Sequence, residues 1–259
     1  MLAEIWAAAN SDWEVLALSS AAIFLAAIVR GFSGFGFSLL SITAISLILP
    51  VSQIVPSIFL LEIAASLNLI PSIWREIHWS SLRWLMVGYV IGLPIGGYAL
   101  IHAPQAPAQI VLGIFVIGTA ILMLRGFHLA RTPGTAASTA TGAASGLLNG
   151  AFGIGGPPVV LFYFSTPGAA VIGRASIIFF FLFTDLLGLA YFATQKIVTT
   201  QTFVQSLAWL PALLIGVWIG AHGFRRMNQD AFRRWVLVIL IALALLGIGK
   251  ALLTLSGGA

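Results

Sequence analysis

Two glycine runs break long apolar stretches at matching places in the two halves of this chain, and few folds accommodate such breaks. The first is Gly31-Phe32-Ser33-Gly34-Phe35-Gly36-Phe37; the second is Gly150-Ala151-Phe152-Gly153-Ile154-Gly155-Gly156-Pro157-Pro158. Gly31, Gly34 and Gly36 are spaced as Gly150, Gly153 and Gly155 are, so each half carries one G-x-x-G-x-G. A nucleotide-binding loop would set such glycines between a strand and a helix, whereas here both flanks are long and hydrophobic. Irregular backbone at membrane depth survives where it is buried in protein or lines a cavity. Matching interruptions in two halves therefore point to a transporter's binding site.

Composition agrees. Hydrophobic residues make up 60% of the chain and charged residues 7%, far from the roughly half and quarter of soluble domains, so the chain reads as an integral membrane protein. Its 12 basic and 7 acidic residues give a net +5. The basic residues fall in the gaps between apolar stretches, as topology determinants do, rather than clustering into the single basic face that nucleic-acid binding needs. With no cysteine and four scattered histidines, the sequence offers neither disulfides nor thiolate chemistry nor a metal-ligand cluster. No cofactor motif or nucleophile–base pair is visible, so the expectation is not an enzyme and no cofactor. Glu4, Asp12 and Glu14 precede Arg30, the first basic residue. That is unlike the basic leader of a cleaved signal peptide, and the first apolar segment reads as part of the mature fold.

Eight apolar segments follow one another, at roughly 15–49, 52–73, 84–101, 107–124, 140–166, 175–193, 203–222 and 232–254. A helix crosses the hydrocarbon with about 20 residues. The first and fifth segments contain the breaks, and each is either a broken span or a re-entrant hairpin. Read as hairpins, they place Arg75, Arg83, Arg125, Arg131, Arg174, Arg225, Arg226, Arg233 and Arg234 on one side, with Lys196 and Lys250 opposite and Arg30 inside the first hairpin. The arginine-rich side is then cytoplasmic and the N-terminus lies on the opposite face.

This arrangement predicts an all-α polytopic membrane protein of two repeats with opposite orientation. Residues 1–131 hold hairpin 15–49 and spans 52–73, 84–101 and 107–124; residues 132–259 hold hairpin 134–166 and spans 175–193, 203–222 and 232–254. One hairpin plus three spans is an odd number of crossings, so the second copy is inverted and the hairpin tips meet near the midplane. Ile91-Gly92-Leu93-Pro94-Ile95-Gly96 and Ile215-Gly216-Val217-Trp218-Ile219-Gly220 repeat at a similar offset. Each is a G-x-x-x-G, read as close helix packing.

Half-helices ending at the midplane expose unpaired N–H groups and a partial positive charge, which suit an anion. Gly31, Gly34, Phe35, Gly36 and Phe37 of the first break and Gly153, Gly155, Gly156 and Pro157 of the second are the candidate substrate-binding residues. The alternative is that the glycines merely permit a sharp buried turn. Arg30 and Arg174 are candidate anion ligands, since a guanidinium fork matches a sulfonate, sulfite or carboxylate; Arg174 at a span end also serves topology alone. Asn68 either bonds substrate or joins helices, and Asn149 reads as a cap for loop backbone. Glu62 and Asp185, central in the first full spans after the breaks, are candidate proton-coupling residues. A buried pair with Arg30 or Arg174, or a protonated group bonded to a neighbouring helix, is the structural alternative. His78, His102, His128 and His222 sit at span ends, and Trp74, Trp79, Trp84 and Trp235 suit an aromatic belt.

Arg30-Gly31-Phe32-Ser33-Gly34-Phe35-Gly36 followed by Pro50, and Gly146-Leu147-Leu148-Asn149-Gly150 through Pro158 followed by Gly173-Arg174-Ala175, resemble the TauE/SafE family of sulfite exporter-like membrane proteins, also called toluene sulfonate uptake permeases. The likeness runs over nearly the whole chain, including Asn68 and Pro71 and the arginine-rich stretch from Phe224 to Arg234. It implies secondary transport of sulfite, organosulfonates or related small anions across the bacterial cytoplasmic (inner) membrane, often export, with the N-terminus then periplasmic. Protons are the candidate coupling ion, the bilayer is the medium, and a homodimer is compatible. Uptake, or a passive anion channel, is the rival reading.

Overall fold

A computed structural model describes residues 13–33, 35–67, 70, 74–125, 134–164, 170–223 and 229–256. Every regular element among them is helical. The first half contains α1 (Trp13–Ser33), α2 (Phe37–Ile45), α3 (Val51–Leu67), α4 (Trp79–His102) and α5 (Gln105–Leu124). The second contains α6 (Thr135–Phe152), α7 (Gly156–Phe164), α8 (Ala170–Thr194), α9 (Thr200–Gly223) and α10 (Gln229–Ser256). A 3₁₀ turn, Trp74–Glu76, precedes α4. By length and composition α1, α4, α5, α8, α9 and α10 each suffice to cross a membrane, while α3 is shorter at 17 residues. The chain is a multi-pass membrane protein.

Each break separates a long arm from a nine-residue one, α1 from α2 and α6 from α7. Gly36 (φ 90°) opens α2 and Gly153 (φ 68°) closes α6, conformations that glycine adopts without a Cβ penalty. Break two starts its second arm with Pro157 and Pro158, which suit a first helical turn.

The helices pair in a pattern that is reproduced when the first five are exchanged for the second five. α4 packs on α6 and α9 on α1; α3 packs on α8 and α5 on α10; α2 lies against α1 and α3, as α7 lies against α6 and α8. The α4–α6 contact is the most intimate. Gly88, Gly92 and Gly96 run down α4 at four-residue spacing against the backbone of Thr139, Ala143 and Leu147 of α6, while Gly142, Gly146 and Gly150 of α6 face the backbone of Leu85, Tyr89 and Leu93 of α4. A Cβ on Gly92 would sit 2.7 Å from Leu147 N, and one on Gly150 would sit 2.6 Å from Gly97 N. With a hydrocarbon solvent there is no hydrophobic gain in joining helices, so close backbone approach and cross-helix hydrogen bonds hold them. Val87, Val90, Ile91 and Ile95 accordingly point outward from α4. The G-x-x-x-G of α9 serves α1, where a Cβ on Gly216 would lie 2.6 Å from Phe24 O.

Polar side chains tie helices together as well. Trp209 Nε1 of α9 donates to Ser19 Oγ of α1 at 3.0 Å, and Ser206 Oγ donates to Ser57 O of α3 at 3.2 Å. Tyr89 OH of α4 donates to Thr184 O of α8 at 2.8 Å. His78, His102 and His222 are exposed at helix ends, and Trp74 and Trp79 are exposed and pack edge-on with Phe179. His128 lies outside the described residues.

Candidate functional site

Break one is held by an acid on the following helix. Arg30 ends α1 with its side chain buried, and its Nη1 pairs with Glu62 Oε2 of α3 while Nη2 donates to Ser66 Oγ at 3.0 Å. From the other side of the break, Ser38 in the first turn of α2 donates to Glu62 Oε1 at 2.7 Å. Both arms therefore grip one carboxylate, and the two charges satisfy each other where either alone would be costly to bury.

Break two is held by its own first arm. Ser145 Oγ donates to Gly155 O at 2.6 Å, and Gly155 N–H donates to Asn149 Oδ1 at 3.0 Å. Asn149 Nδ2 donates to Tyr89 OH at 2.7 Å, which carries the network to α4 and on to α8. Asn149 is thus the loop cap expected of it. These bonds satisfy backbone groups that an irregular segment cannot pair with itself.

The two breaks wall one small cavity. Phe35, Gly36, Ser38 and Leu39 line it from the first, Ile154, Gly155, Gly156 and Pro157 from the second, with Glu62, Asn149, Phe181, Thr184 and Asp185 completing the wall. Its volume is about 30 Å³, room for about two waters. Gly36 and Gly156 bring the starts of α2 and α7 to this wall. Because Pro157 and Pro158 lack an N–H, Gly156 is the one donor among α7's first three residues, whereas Phe37, Ser38 and Leu39 of α2 each carry one.

Among the sequence candidates, Phe35, Gly36, Gly155, Gly156, Pro157, Glu62 and Asp185 line the cavity, and Arg30 touches Glu62 behind it. Phe37 is fully buried in the helical core, and Gly153 packs on Ile42 and Val55, where a Cβ would meet their side chains at 2.7 and 3.0 Å. Gly31 sits in the last turn of α1 and is not part of the lining. Gly34 and Asn68 lie outside the described residues; Arg174 belongs to α8, and its side chain is not among those described. Tyr89, Ser145, Thr184 and Phe181 were not singled out as site residues. Serine and threonine bond their own helix backbone so often that only the facing carbonyl of Gly155 distinguishes Ser145, and Phe181 stands in a run of phenylalanines in which sequence cannot separate lipid-facing from inward positions. Among the described residues no cluster of three or more histidines or acids suits a metal ion.

Asp185 differs from Glu62. It is buried in α8, its Oδ2 has no hydrogen-bond partner among the described residues, and it lies within electrostatic reach of Arg30. The site as a whole is a narrow, largely apolar cavity between two helix-breaking segments, with an arginine–glutamate pair on one wall and, on the other, an acid that has no ion-pair partner of its own among the described residues.

Comparison with known proteins places these features. The family model described as sulfite exporter TauE/SafE matches residues 19–246. The chain is 25% identical over 229 residues to the probable sulfite/organosulfonate exporter TauE of Cupriavidus necator, an alignment covering 87% of each chain. No solved structure matches it.

Proposed function

The chain belongs to the sulfite exporter TauE/SafE family, and from that premise we propose that it exports sulfite, an organosulfonate or a related small anion across the bacterial cytoplasmic membrane. It does so as a proton-coupled secondary transporter working by alternating access. The observation that carries this reading is the shared cavity: residues of both glycine breaks and the carboxylates of α3 and α8 line one space. Export follows the description of the Cupriavidus relative.

In this reading the exchange symmetry of the packing reflects two inverted repeats, each a broken hairpin followed by three crossing helices. The N-termini of α2 and α7 supply N–H donors and partial positive charge to the anion, and Arg30 sets the local charge through Glu62. The repeats rock about the breaks so that the cavity opens to one side at a time. Gly34, Gly36, Gly155 and Gly156 allow the backbone to approach the anion, Phe35 acts as an apolar flank, and Asn68, Pro157 and Arg174 complete the substrate path.

Counterflow in liposomes is the test. Preloaded unlabelled sulfonate should accelerate entry of labelled sulfonate, because a carrier exchanges one for the other. Flux that is indifferent to preloading would make the protein a channel. Orientation is tested separately, on a chain that has no native cysteine. Thr135→Cys, at the exposed start of α6, should react with an impermeant maleimide from the cytoplasmic face alone; labelling only from the periplasm would overturn the topology.

A further inference from the structure

The two halves answer their buried acids differently. Arg30 stands immediately before Gly31, and Asn149 stands immediately before Gly150. Arg30 reaches the acid of the next long helix, Glu62, which also accepts from Ser38. Asn149 turns instead to Gly155 N–H and Tyr89 OH. Asp185, which follows break two as Glu62 follows break one, is left with Oδ2 unpartnered among the described residues although it is 5% exposed and lines the cavity.

The groups that face it settle the charge balance. Arg30 on α1 and Tyr89 on α4 interact with Asp185 electrostatically, Glu62 on α3 shares the cavity wall, and the neighbouring Thr184 hydroxyl is turned to Phe181 O. Glu62 matches the charge of Arg30. An ionised Asp185 therefore leaves the cavity wall with one net negative charge, which repels an incoming anion. A protonated Asp185 reverses this, because a carboxylic acid donates a hydrogen bond where a carboxylate only accepts.

Resting on the reading of an anion carrier, we propose that Asp185 is the proton site of transport and that each monoanion crosses together with one proton bound there. Glu62, held by Arg30 and Ser38, stays ionised throughout. One O–H bond forms on Asp185 as proton and anion enter, and it breaks as both leave on the other side, so no net charge crosses. The membrane potential then does no work on the loaded carrier. Export proceeds when the anion accumulates inside enough to outweigh any opposing proton gradient, and proton and anion strengthen each other's binding by the same factor.

The test is calorimetric titration of purified protein with methanesulfonate, whose own acid group stays ionised, in buffers of different ionisation enthalpy. On the alkaline side the wild-type protein should take up one proton per anion, with affinity falling about tenfold per pH unit. Asp185→Asn should bind with a flat pH profile and no proton uptake, and in liposomes its methanesulfonate flux should respond to an imposed potassium–valinomycin potential to which wild-type flux is indifferent. Binding by the wild type without proton uptake would overturn the assignment, whatever the folding of the variant. A wild-type pH slope retained in Asp185→Asn would move the proton elsewhere. Absence of binding of methanesulfonate and sulfite at every pH would overturn the carrier reading itself, and this assignment with it.

Discussion

Arg30→Met is expected to yield protein that unfolds or aggregates on extraction into detergent, whereas Arg30→Met combined with Glu62→Leu returns folded protein that no longer binds methanesulfonate. The single change leaves Glu62 buried, with Ser38 Oγ as its one remaining described partner. Breaking a buried pair in this way costs about 3–5 kcal/mol, a large part of a typical folding free energy. Removing both charges costs far less, since replacing a buried ion pair by apolar groups of similar size is often neutral. Comparison of melting temperatures across the two variants isolates the pair, and calorimetry on the double variant isolates its role at the cavity. A single variant as stable as the parent would show that the pair does not hold break one in place. A double variant that binds with parental affinity would remove Arg30 from the anion's surroundings.

The second large effect is expected at the glycine seam. Gly92→Leu should give no monodisperse protein, and even Gly92→Ala should lower the melting temperature. A Cβ at Gly92 falls on backbone of α6, 2.7 Å from Leu147 N, and backbone cannot swing aside as a side-chain tip does. α4 and α6 must then separate along their length, which also loosens Gly88, Gly96, Gly142, Gly146 and Gly150. Overpacking costs about 1–3 kcal/mol where side chains can adjust, and here the dispersion contacts of a whole helix pair are lost as well. Gly118→Ala on α5 is the control, because a Cβ there meets nothing within 4 Å. It should be neutral or stabilising by up to about 1 kcal/mol from helix propensity. Equal behaviour at the two positions would show that the α4–α6 approach is not close enough to matter.

These two predictions draw on different amounts of sequence information. Gly92 and Gly96 announce a tight contact through their spacing, yet nothing in that spacing names α6 as the partner. Arg30 is conspicuous as a cation in an apolar stretch, and Glu62 as a mid-helix acid. Their pairing across 32 positions was one of several options, with Arg174 equally eligible. The breaks were legible because glycine and proline report backbone conformation directly; the lengths of the arms were not, since helix boundaries depend on which glycine takes the left-handed conformation.

Residue chemistry alone placed this chain in a bilayer and marked where its two glycine runs must interrupt a helix. In a solvent without hydrogen-bonding capacity, every unsatisfied backbone group has to find protein, and that demand is written locally. Which helix faces which, and which acid is left without a counter-charge, came from the packed arrangement. Lipid and protein interior are about equally apolar, so hydropathy does not separate the inward face of a helix from the outward one. Only when Asn149 turned to Gly155 and Tyr89, and Arg30 to Glu62, did Asp185 stand out as the acid whose Oδ2 has no hydrogen-bond partner among the described residues.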